Sequence, residues 1–372
     1  MTDSRITGDA AAMRATEAEA LDSESGQSLA PSVPYDAILV VSFGGPEGMD
    51  DVLPFLENVL RGRNVPRERM LEVAHHYELF GGVSPINQQN RDLIASLRTL
   101  LNTYDITLPV YWGNRNWRPL LADTLREMAR DGVQRALAYI TSAYSSYSGC
   151  RQYLEDIERA RREVSADGID APQVDALRKF YNHPDFILAN VARVRAALAE
   201  IPASQRSEAV VVFTAHSIPL SMARASLYER QLHETARLVA GTLKLSRWRL
   251  AYQSRSGPPA QPWLEPDICD TLRVLKGEGA EAVVIAPIGF LSDHVEVLYD
   301  LDVEARQVAD ELGLMMARAR TVGTHTAFVD MIYQLLVERL KPGTERRFLG
   351  VDGPSPDTCH GTDCCGIVSR TE

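Results

Sequence analysis

The sequence predicts an α/β protein made of two similar domains, each a parallel sheet flanked by helices. From residue 35 onward, short and continuously apolar segments alternate with amphipathic ones, which is typical of strands covered by helices on both faces. The stretch DGVQRALAYITSAYSS (131–146) resembles EGAEAVVIAPIGFLSD (278–293) at an offset of 147 residues, which indicates an internal repeat. Ligands of such open sheets bind beyond the carboxyl ends of the strands, so we expect the functional residues there.

The elements follow in order along the chain. In the first half, apolar runs predict strands at 37–43, 109–113 and 135–143, and helical periodicity predicts helices at 50–60, 88–101, 119–130 and 151–164. In the second half, the same signals predict strands at 209–215, 249–254, 282–290 and 315–320, with helices at 227–243, 267–276, 294–312 and 326–340. The predicted domains are therefore 35–172 and 173–324, followed by a terminal helix at 325–341 and a C-terminal extension at 342–372.

Composition limits the class of protein. The 372 residues are 45% hydrophobic and 24% charged, as in a globular protein, and the net charge of −11 argues against nucleic acid as a partner. No apolar run approaches the ~18–20 residues of a membrane span, and no signal peptide is recognisable. The five cysteines do not resemble a secreted disulfide framework, so we expect a cytoplasmic protein. Residues 1–34, rich in Ala, Ser and acidic residues, are expected to be a disordered extension.

The first strand exit carries a glycine-rich turn. GGPEG (44–48) matches neither the dinucleotide fingerprint nor the P-loop, which disfavours a plain dinucleotide-dependent enzyme. Phe43, two glycines and a proline are sufficient for a tight turn beside a flat ligand. A purely structural strand-to-helix turn is the alternative.

The second exit is TAHSIP (214–219). A histidine in such a place is either a structural residue or a group that handles protons. Pro219 prevents regular strand pairing from continuing, and His216 then falls at the ligand-binding edge of the sheet. This position favours the proton-handling role.

The third exit leads into an acidic helix. Glu296, Asp300 and Glu304 are spaced four residues apart, which places them along one helical face. A solvated acidic face is the simple alternative, but the helix is otherwise so apolar that this stripe should border a cavity. Like charges at this spacing repel, so without counter-charges at least one carboxyl should have a raised pKa. Such a row could conduct protons or hydrated divalent cations.

The C-terminus holds CHGTDCC, with Cys359, Cys364 and Cys365 close together. Three thiols in seven residues indicate a metal site, either structural zinc or an iron–sulfur cluster, and both need a fourth ligand. Cys150 can supply it, because it follows a predicted strand exit. Thiols without a ligand role remain the alternative.

Together these motifs resemble the ferrochelatases, which insert ferrous iron into a porphyrin. The resemblance covers residues 36–340 and rests on five segments whose order and spacing are specific only as a set. They are FGGPE (43–47), GGVSPI (81–86), AHSIP (215–219), QSRSGPPAQPWLEP (253–266) and GFLSDHVEVLYDLDVEA (289–305).

The resemblance implies a fold and an active site. The family fold is two Rossmann-like, chelatase-type domains with four-stranded parallel sheets, and the terminal helix packs back on the first domain. His216 corresponds to the active-site histidine, and Glu296 to a carboxylate opposite it across the porphyrin. Asp300 and Glu304 correspond to an acidic relay that leads toward solvent.

Further residues are implied as porphyrin contacts and cluster ligands. Porphyrin contacts are expected from Phe43 (stacking on the macrocycle), Arg61, Ser84 and Arg115 (propionates) and Trp263 (an aromatic near the cleft). A subset of the family binds a [2Fe–2S] cluster, and its ligands would be Cys150, Cys359, Cys364 and Cys365. The C-x4-C-C spacing of the tail differs from the C-x2-C-x4-C of animal members.

The resemblance leads to a hypothesis for the reaction. A neutral His216 would accept a pyrrole proton or contact Fe²⁺, while the cleft holds the porphyrin bent. The arginine-rich composition resembles that of Gram-positive members that use coproporphyrin III, so the expected product is coproheme. Protoporphyrin IX as substrate, a cobalt chelatase and a non-catalytic tetrapyrrole or metal carrier are the alternatives, and neighbouring heme-pathway enzymes are candidate partners.

Overall fold

The computed structural model describes residues 35–62, 65–258 and 260–357. The predicted extension at 1–34 and the predicted cluster ligands Cys359, Cys364 and Cys365 lie outside the described residues.

The described residues form two four-stranded sheets, and every strand pair is parallel. The first sheet has the order β2-β1-β3-β4 and contains β1 (Ala37–Ser42), β2 (Val110–Asn114), β3 (Arg135–Ile140) and β4 (Gln173–Ala176). The second has the order β6-β5-β7-β8 and contains β5 (Val210–His216), β6 (Trp248–Gln253), β7 (Ala282–Ala286) and β8 (Met315–Arg318). Because both sheets have the same strand order, the predicted α/β class and internal repeat are confirmed.

The central strands owe their position to continuous apolar character. All residues of β1 and β7 are buried, as are all of β5 except His216 at its end. A strand buried on both faces needs helices on both sides. The helices associated with the first sheet are α1 (Met49–Val59), α2 (Arg67–Glu78), α3 (Ile86–Thr103), α4 (Leu121–Arg130) and α5 (Gln152–Ala166). Those of the second half are α6 (Pro184–Glu200), α7 (Ala203–Arg206), α8 (Leu220–Arg224), α9 (Tyr228–Leu243), α10 (Ile268–Gly277), α11 (Val295–Leu298), α12 (Ala305–Glu311) and α13 (Thr326–Leu340).

Four helices and one strand have no counterpart among the sequence predictions, and two of these helices, α7 and α8, have only four and five residues. The others are α2, α6 and β4. Of these, α2 and β4 have weak signals: α2 is mostly polar, and β4 has four residues, two of them charged or amide. The predicted helix 294–312 is interrupted, because the π-helical turn Tyr299–Glu304 joins α11 to α12. A second π-helical turn, Tyr147–Arg151, leads into α5 and carries Cys150.

The carboxyl ends of the two sheets meet. The Tyr144 hydroxyl, in the loop after β3, donates to the Ile288 carbonyl after β7 at 2.9 Å. The Gln231 side chain on α9 hydrogen-bonds both the amide and the hydroxyl of Ser145. The loops that follow the strands of one sheet therefore face those of the other, and the space between them is the cleft.

The terminal helix α13 packs against both α3 and α6. Its Glu338 forms a buried ion pair with Arg178, which follows β4. The chain then continues as an extended segment, residues 341–357, which we call the strap. The Leu349 amide donates a hydrogen bond to the Asn182 carbonyl, and Asp352 forms an ion pair with Arg230. The strap thus crosses from the first half of the molecule to α9.

Candidate active site

His216 is the last residue of β5, and hydrogen bonds fix the backbone around it. The Tyr228 hydroxyl donates to the His216 carbonyl at 3.0 Å, and the Ser217 amide donates to the Gln253 carbonyl at 2.7 Å. Nδ1 of His216 is hydrogen-bonded to the Ser217 carbonyl, so it carries the hydrogen. Pro219, which has no amide hydrogen, precedes α8 and ends the strand. Nε2 is then the imidazole atom available for chemistry.

Glu296 lies beside this atom. The distance from His216 Nε2 to Glu296 Oε1 is 3.5 Å, and 34% and 42% of the two side chains are accessible. Two groups on opposite faces of a macrocycle would be about 7 Å apart, because each lies at a van der Waals distance of about 3.5 Å from the plane of the ring. The expectation that Glu296 faces His216 across the porphyrin is therefore wrong for this structure: the two side chains contact each other and lie on the same side of any porphyrin.

The two side chains share a proton-linked charge. Burial alone would lower the pKa of His216, but the adjacent Glu296 carboxylate outweighs it and raises that pKa to about 9. Burial alone would raise the pKa of Glu296, but the imidazolium lowers it. At neutral pH, with no metal nearby, the pair is an imidazolium and a carboxylate. The expected neutral imidazole is therefore not the form that this pair favours at neutral pH.

Asp300 lies next along the acidic row. Burial and the charge of Glu296 raise the pKa of Asp300 to about 7, which confirms that a carboxyl of this row has a raised pKa. Its Oδ2 accepts hydrogen bonds from the Ser254 hydroxyl and, at 3.2 Å, from the Gln253 amide. Hydrogen bonding from Ser254 also lowers the pKa of Glu296. Ser254 therefore stands between the two carboxylates.

Glu304 ends the π-helical turn that carries Asp300. A π-helical turn has i→i+5 hydrogen bonds, is rare, and occurs frequently at functional sites. Burial and the nearby Asp267 raise the pKa of Glu304, whereas Arg69 opposes the rise. The row therefore runs from the partly exposed His216–Glu296 pair to a carboxyl near Arg69 of α2.

Phe43 lies at the exit of β1 and is held by aromatic and cationic neighbours. Its ring packs edge-on against Phe55 of α1 at a centroid distance of 6.3 Å. The Arg115 guanidinium lies 5.7 Å from the Phe43 ring centre and 4.4 Å from that of Tyr153. Arg115 is ion-paired with Asp156, and the two side chains are only 6% and 7% exposed. The charge of Arg115 is thus already neutralised by a buried partner.

The other expected porphyrin contacts lie at different depths. Arg61 is exposed at the end of α1 and donates to the Asn58 side chain. Ser84 is 3% exposed and packs against Gly45. A Cβ added to Gly45 would lie only 2.7 Å from the Cβ of Ser84. Trp263 is 9% exposed and pairs with Pro219, beside the His216 loop.

α2 connects the first half of the molecule to the acidic row. The His76 ring of α2 stacks on the Tyr299 ring, the first residue of the π-helical turn, at 3.6 Å and an interplanar angle of 9°. Burial and the positive Arg69 lower the pKa of His76, which favours the neutral ring. The helix therefore contacts the turn through an uncharged stacked pair.

A separate cavity of about 210 Å³ lies between the two halves, away from His216. Cys150 lines it, together with Leu227 just before α9, Arg230 and Gln231 of α9, and the end of the strap, 352–357. Among the residues that the structure describes, no group of three or more His, Cys, Asp or Glu side chains is arranged to bind a metal ion.

Two residues of the site did not emerge from the sequence: Ser254 and Tyr228. The predicted strand 249–254 ends at Ser254, so the rule that directs attention to strand exits applies to it as well. No sequence signal indicated Tyr228, whose hydroxyl reaches the His216 backbone across a loop.

No helix in the described part of the chain has the length and apolarity to cross a membrane.

Known proteins resemble this chain over most of its length. The ferrochelatase family model matches residues 35–340. A ferrochelatase of Rhodopirellula baltica is 57% identical, over 91% of this chain and 95% of that protein. A coproporphyrin III ferrochelatase of Streptomyces griseus is 51% identical, over 89% of this chain and 93% of that protein. One of Nocardia farcinica is also 51% identical, over 88% and 95%.

A solved structure supports the fold independently of sequence. SirB from Bacillus subtilis, determined with Fe³⁺, superposes with a TM-score of 0.51 at 10% identity, over 83% of this chain and 96% of that one. At this identity the likeness concerns the fold alone.

Proposed function

The chain belongs to the ferrochelatase family, and we propose that it inserts ferrous iron into coproporphyrin III with His216 and Glu296 as the reacting pair. The observation that carries this proposal is the contact of 3.5 Å between the two side chains in the cleft where the sheets meet. A basic nitrogen and a carboxylate at one point can both accept protons and contact a divalent cation.

Insertion releases two protons from the pyrrole nitrogens for each Fe²⁺ taken up, so the site must accept protons next to a cation. An arriving divalent ion lowers the pKa of the His216 imidazolium by repulsion, and the proton can leave toward Glu296 and Asp300. Neutral His216 then has a free lone pair on Nε2 for a pyrrole proton or the metal. Asp300, with a pKa of about 7, can hold a proton at neutral pH. Glu304 continues the path toward solvent.

The porphyrin would lie between the sheets with Phe43 against its face. In this arrangement Arg115 orients Phe43, because its guanidinium contacts the ring and is fixed by Asp156. Ser84 supports the turn after β1 by packing on Gly45. Arg61 is exposed and, among the described residues, forms no ion pair, so its guanidinium is available to a propionate. Trp263 would border the cleft beside Pro219.

Coproporphyrin III carries four propionates and protoporphyrin IX two. The relatives named for coproporphyrin III support the first as substrate. We expect kcat/KM for coproporphyrin III to exceed that for protoporphyrin IX by at least about tenfold, which is about 1.4 kcal/mol of differential transition-state binding. Anaerobic steady-state assays with both porphyrins measure the ratio directly.

The same assay separates the alternatives. A higher kcat/KM for protoporphyrin IX would contradict the substrate assignment and leave the ferrochelatase activity in place. Binding of both porphyrins without metalloporphyrin formation would indicate a carrier instead. Turnover with Co²⁺ and an earlier tetrapyrrole, but not with Fe²⁺, would indicate a cobalt chelatase.

We also propose that Cys150, Cys359, Cys364 and Cys365 bind a [2Fe–2S] cluster. The residues that the structure describes fit this group: Cys150 is 3% exposed and lines the cavity between the two halves, and the strap reaches the same cavity at Asp357. In the sequence, Cys359 follows Asp357 by two residues. When bound, such a cluster supplies a one-electron redox change and a link between segments. Because metal insertion needs no electron transfer, a structural or redox-sensing role is expected. A protein with such thiols is expected in the reducing cytoplasm.

Cys150→Ala is expected to remove the cluster. Wild-type protein purified without oxygen should show the visible absorption of a [2Fe–2S] centre and contain iron and acid-labile sulfide in equal amounts. The variant should lose both. Cys269→Ala is the matched control, because Cys269 lies on α10 and does not line the cavity. Colourless wild-type protein, or a Cys150→Ala variant that keeps its absorption, would refute the assignment.

A further inference from the structure

We propose that Ser254 is a positioning residue that links the carboxylates of Glu296 and Asp300, so that protons released at the porphyrin pass from one to the other through its hydroxyl. This inference rests on the proposed function, because it assumes that Glu296 receives protons during metal insertion.

The location of Ser254 supports the link. It follows Gln253, the last residue of β6, and the neighbouring strand β5 ends at His216, which pairs in register with Gln253. Its hydroxyl donates to Oδ2 of Asp300, and Ser254 is also close enough to Glu296 to lower the pKa of that carboxyl. Asp300 and Glu296 belong to a different segment, which follows β7. The hydroxyl thus reaches two consecutive members of the acidic row from the opposite wall.

The backbone of Ser254 is unfavourable for a residue with a side chain. Its φ is +63°, in the left-handed region that glycine adopts without steric cost. Among the described residues only Asp105 and Lys244 share this property outside glycine, and both lie where a helix ends. Strained backbone of this kind clusters at functional sites. At Ser254 the conformation directs the hydroxyl to the two carboxylates.

Gln253 shows that the contact is organised by more than one residue. Its side-chain amide donates to the same Oδ2 of Asp300 at 3.2 Å, and Gln253 is 1% exposed. Asp300 is therefore held by two donors from the end of β6. The Gln253 NH2 group can only donate a hydrogen bond to this oxygen, whereas a serine hydroxyl can both donate and accept. Only Ser254 can pass a proton on.

The proton balance closes without another reactant. A pyrrole proton that reaches Glu296 is donated to the Ser254 oxygen, while the Ser254 hydroxyl hydrogen goes to Asp300. Serine ends with the same number of hydrogens, Glu296 is again a carboxylate, and Asp300 has gained one proton. Asp300 loses it toward Glu304 and solvent before the next event. No bond to carbon forms or breaks.

Two variants separate the hydroxyl from the backbone strain. Ser254→Ala removes the hydroxyl and keeps a side chain at positive φ, whereas Ser254→Gly removes the hydroxyl and relieves the strain. Both are expected to lower kcat at least about tenfold, with KM for Fe²⁺ and porphyrin within about twofold of wild type. The solvent deuterium isotope effect on kcat should rise in both variants, because proton transfer becomes slower than the other steps.

The outcomes decide between a relay and a structural residue. Wild-type kcat in either folded variant overturns the proposal, as does a loss of kcat with no change in the isotope effect. If Ser254→Ala fails to fold, the glycine variant, which the backbone accommodates, gives the answer. His216→Ala, measured in parallel, separates the role of Ser254 from the proposed function. If His216→Ala retains turnover, the proposed function fails. If His216→Ala abolishes turnover while both Ser254 variants keep wild-type turnover, only the proposed role of Ser254 fails.

Discussion

His216→Ala is expected to lower the rate of iron insertion at least about 1,000-fold while porphyrin affinity stays within about threefold. The variant removes the only imidazole that contacts Glu296 in the described ion pairs, and with it the Nε2 lone pair at the point where metal and pyrrole protons meet. Proton transfer by a positioned side chain contributes about 10²–10⁴-fold to a rate, and contact with the metal adds to that. Anaerobic turnover and fluorescence quenching by bound porphyrin measure the two quantities.

Removing the imidazolium also changes its partner. Glu296 would lose the positive charge that lowers its pKa and would remain desolvated near Asp300, so its pKa should rise. A protonated Glu296 accepts no further proton. The variant therefore loses two proton acceptors, and its rate of insertion should fall further than the loss of the imidazole alone would cause. His233→Ala, an exposed histidine on α9, is the matched control and should keep wild-type turnover. A His216→Ala variant with more than about one tenth of wild-type turnover would show that the reaction occurs elsewhere.

The sheets were predictable because their strands are buried on both faces. Such strands are continuously apolar, and the runs at 37–43 and 209–215 therefore identify β1 and β5 to within a residue or so. Helix α13 was predicted with its observed bounds, since its apolar positions recur with helical spacing. β4 and α2 were missed because both are polar and depend on tertiary contacts for their conformation.

The candidate site was predictable in its location and less so in its geometry. Strand exits direct attention to His216 and to the segment of Glu296, but the contact between them joins residues eighty positions apart. The charge state of His216 depends on that contact, so local sequence alone does not determine it. The π-helical turn and the positive φ of Ser254 arise from packing between segments and have no periodic signal in the sequence.

Glu338→Gln is expected to lower the free energy of unfolding by about 3–5 kcal/mol, the usual effect of removing one partner from a buried ion pair. Glu338 accepts two hydrogen bonds from Arg178, at 2.7 and 2.8 Å, and the side chains are 3% and 1% exposed. The variant leaves the Arg178 charge desolvated with neutral partners only, such as the Arg347 carbonyl at 2.9 Å. Guanidinium chloride unfolding of the purified variant measures the change.

Two comparisons test the physical reason. Glu163→Gln removes a partner of Arg126 that is 57% exposed, and it should cost less than about 1 kcal/mol because water replaces the carboxylate. Arg178→Met combined with Glu338→Leu removes both charges and should recover most of the lost stability, since no ion then remains desolvated. A Glu338→Gln effect no larger than that of Glu163→Gln would mean that water reaches Arg178. Arg178 also donates to the Arg347 carbonyl in the strap, whose end lines the Cys150 cavity. The ion pair that attaches α13 therefore also helps to hold the strap.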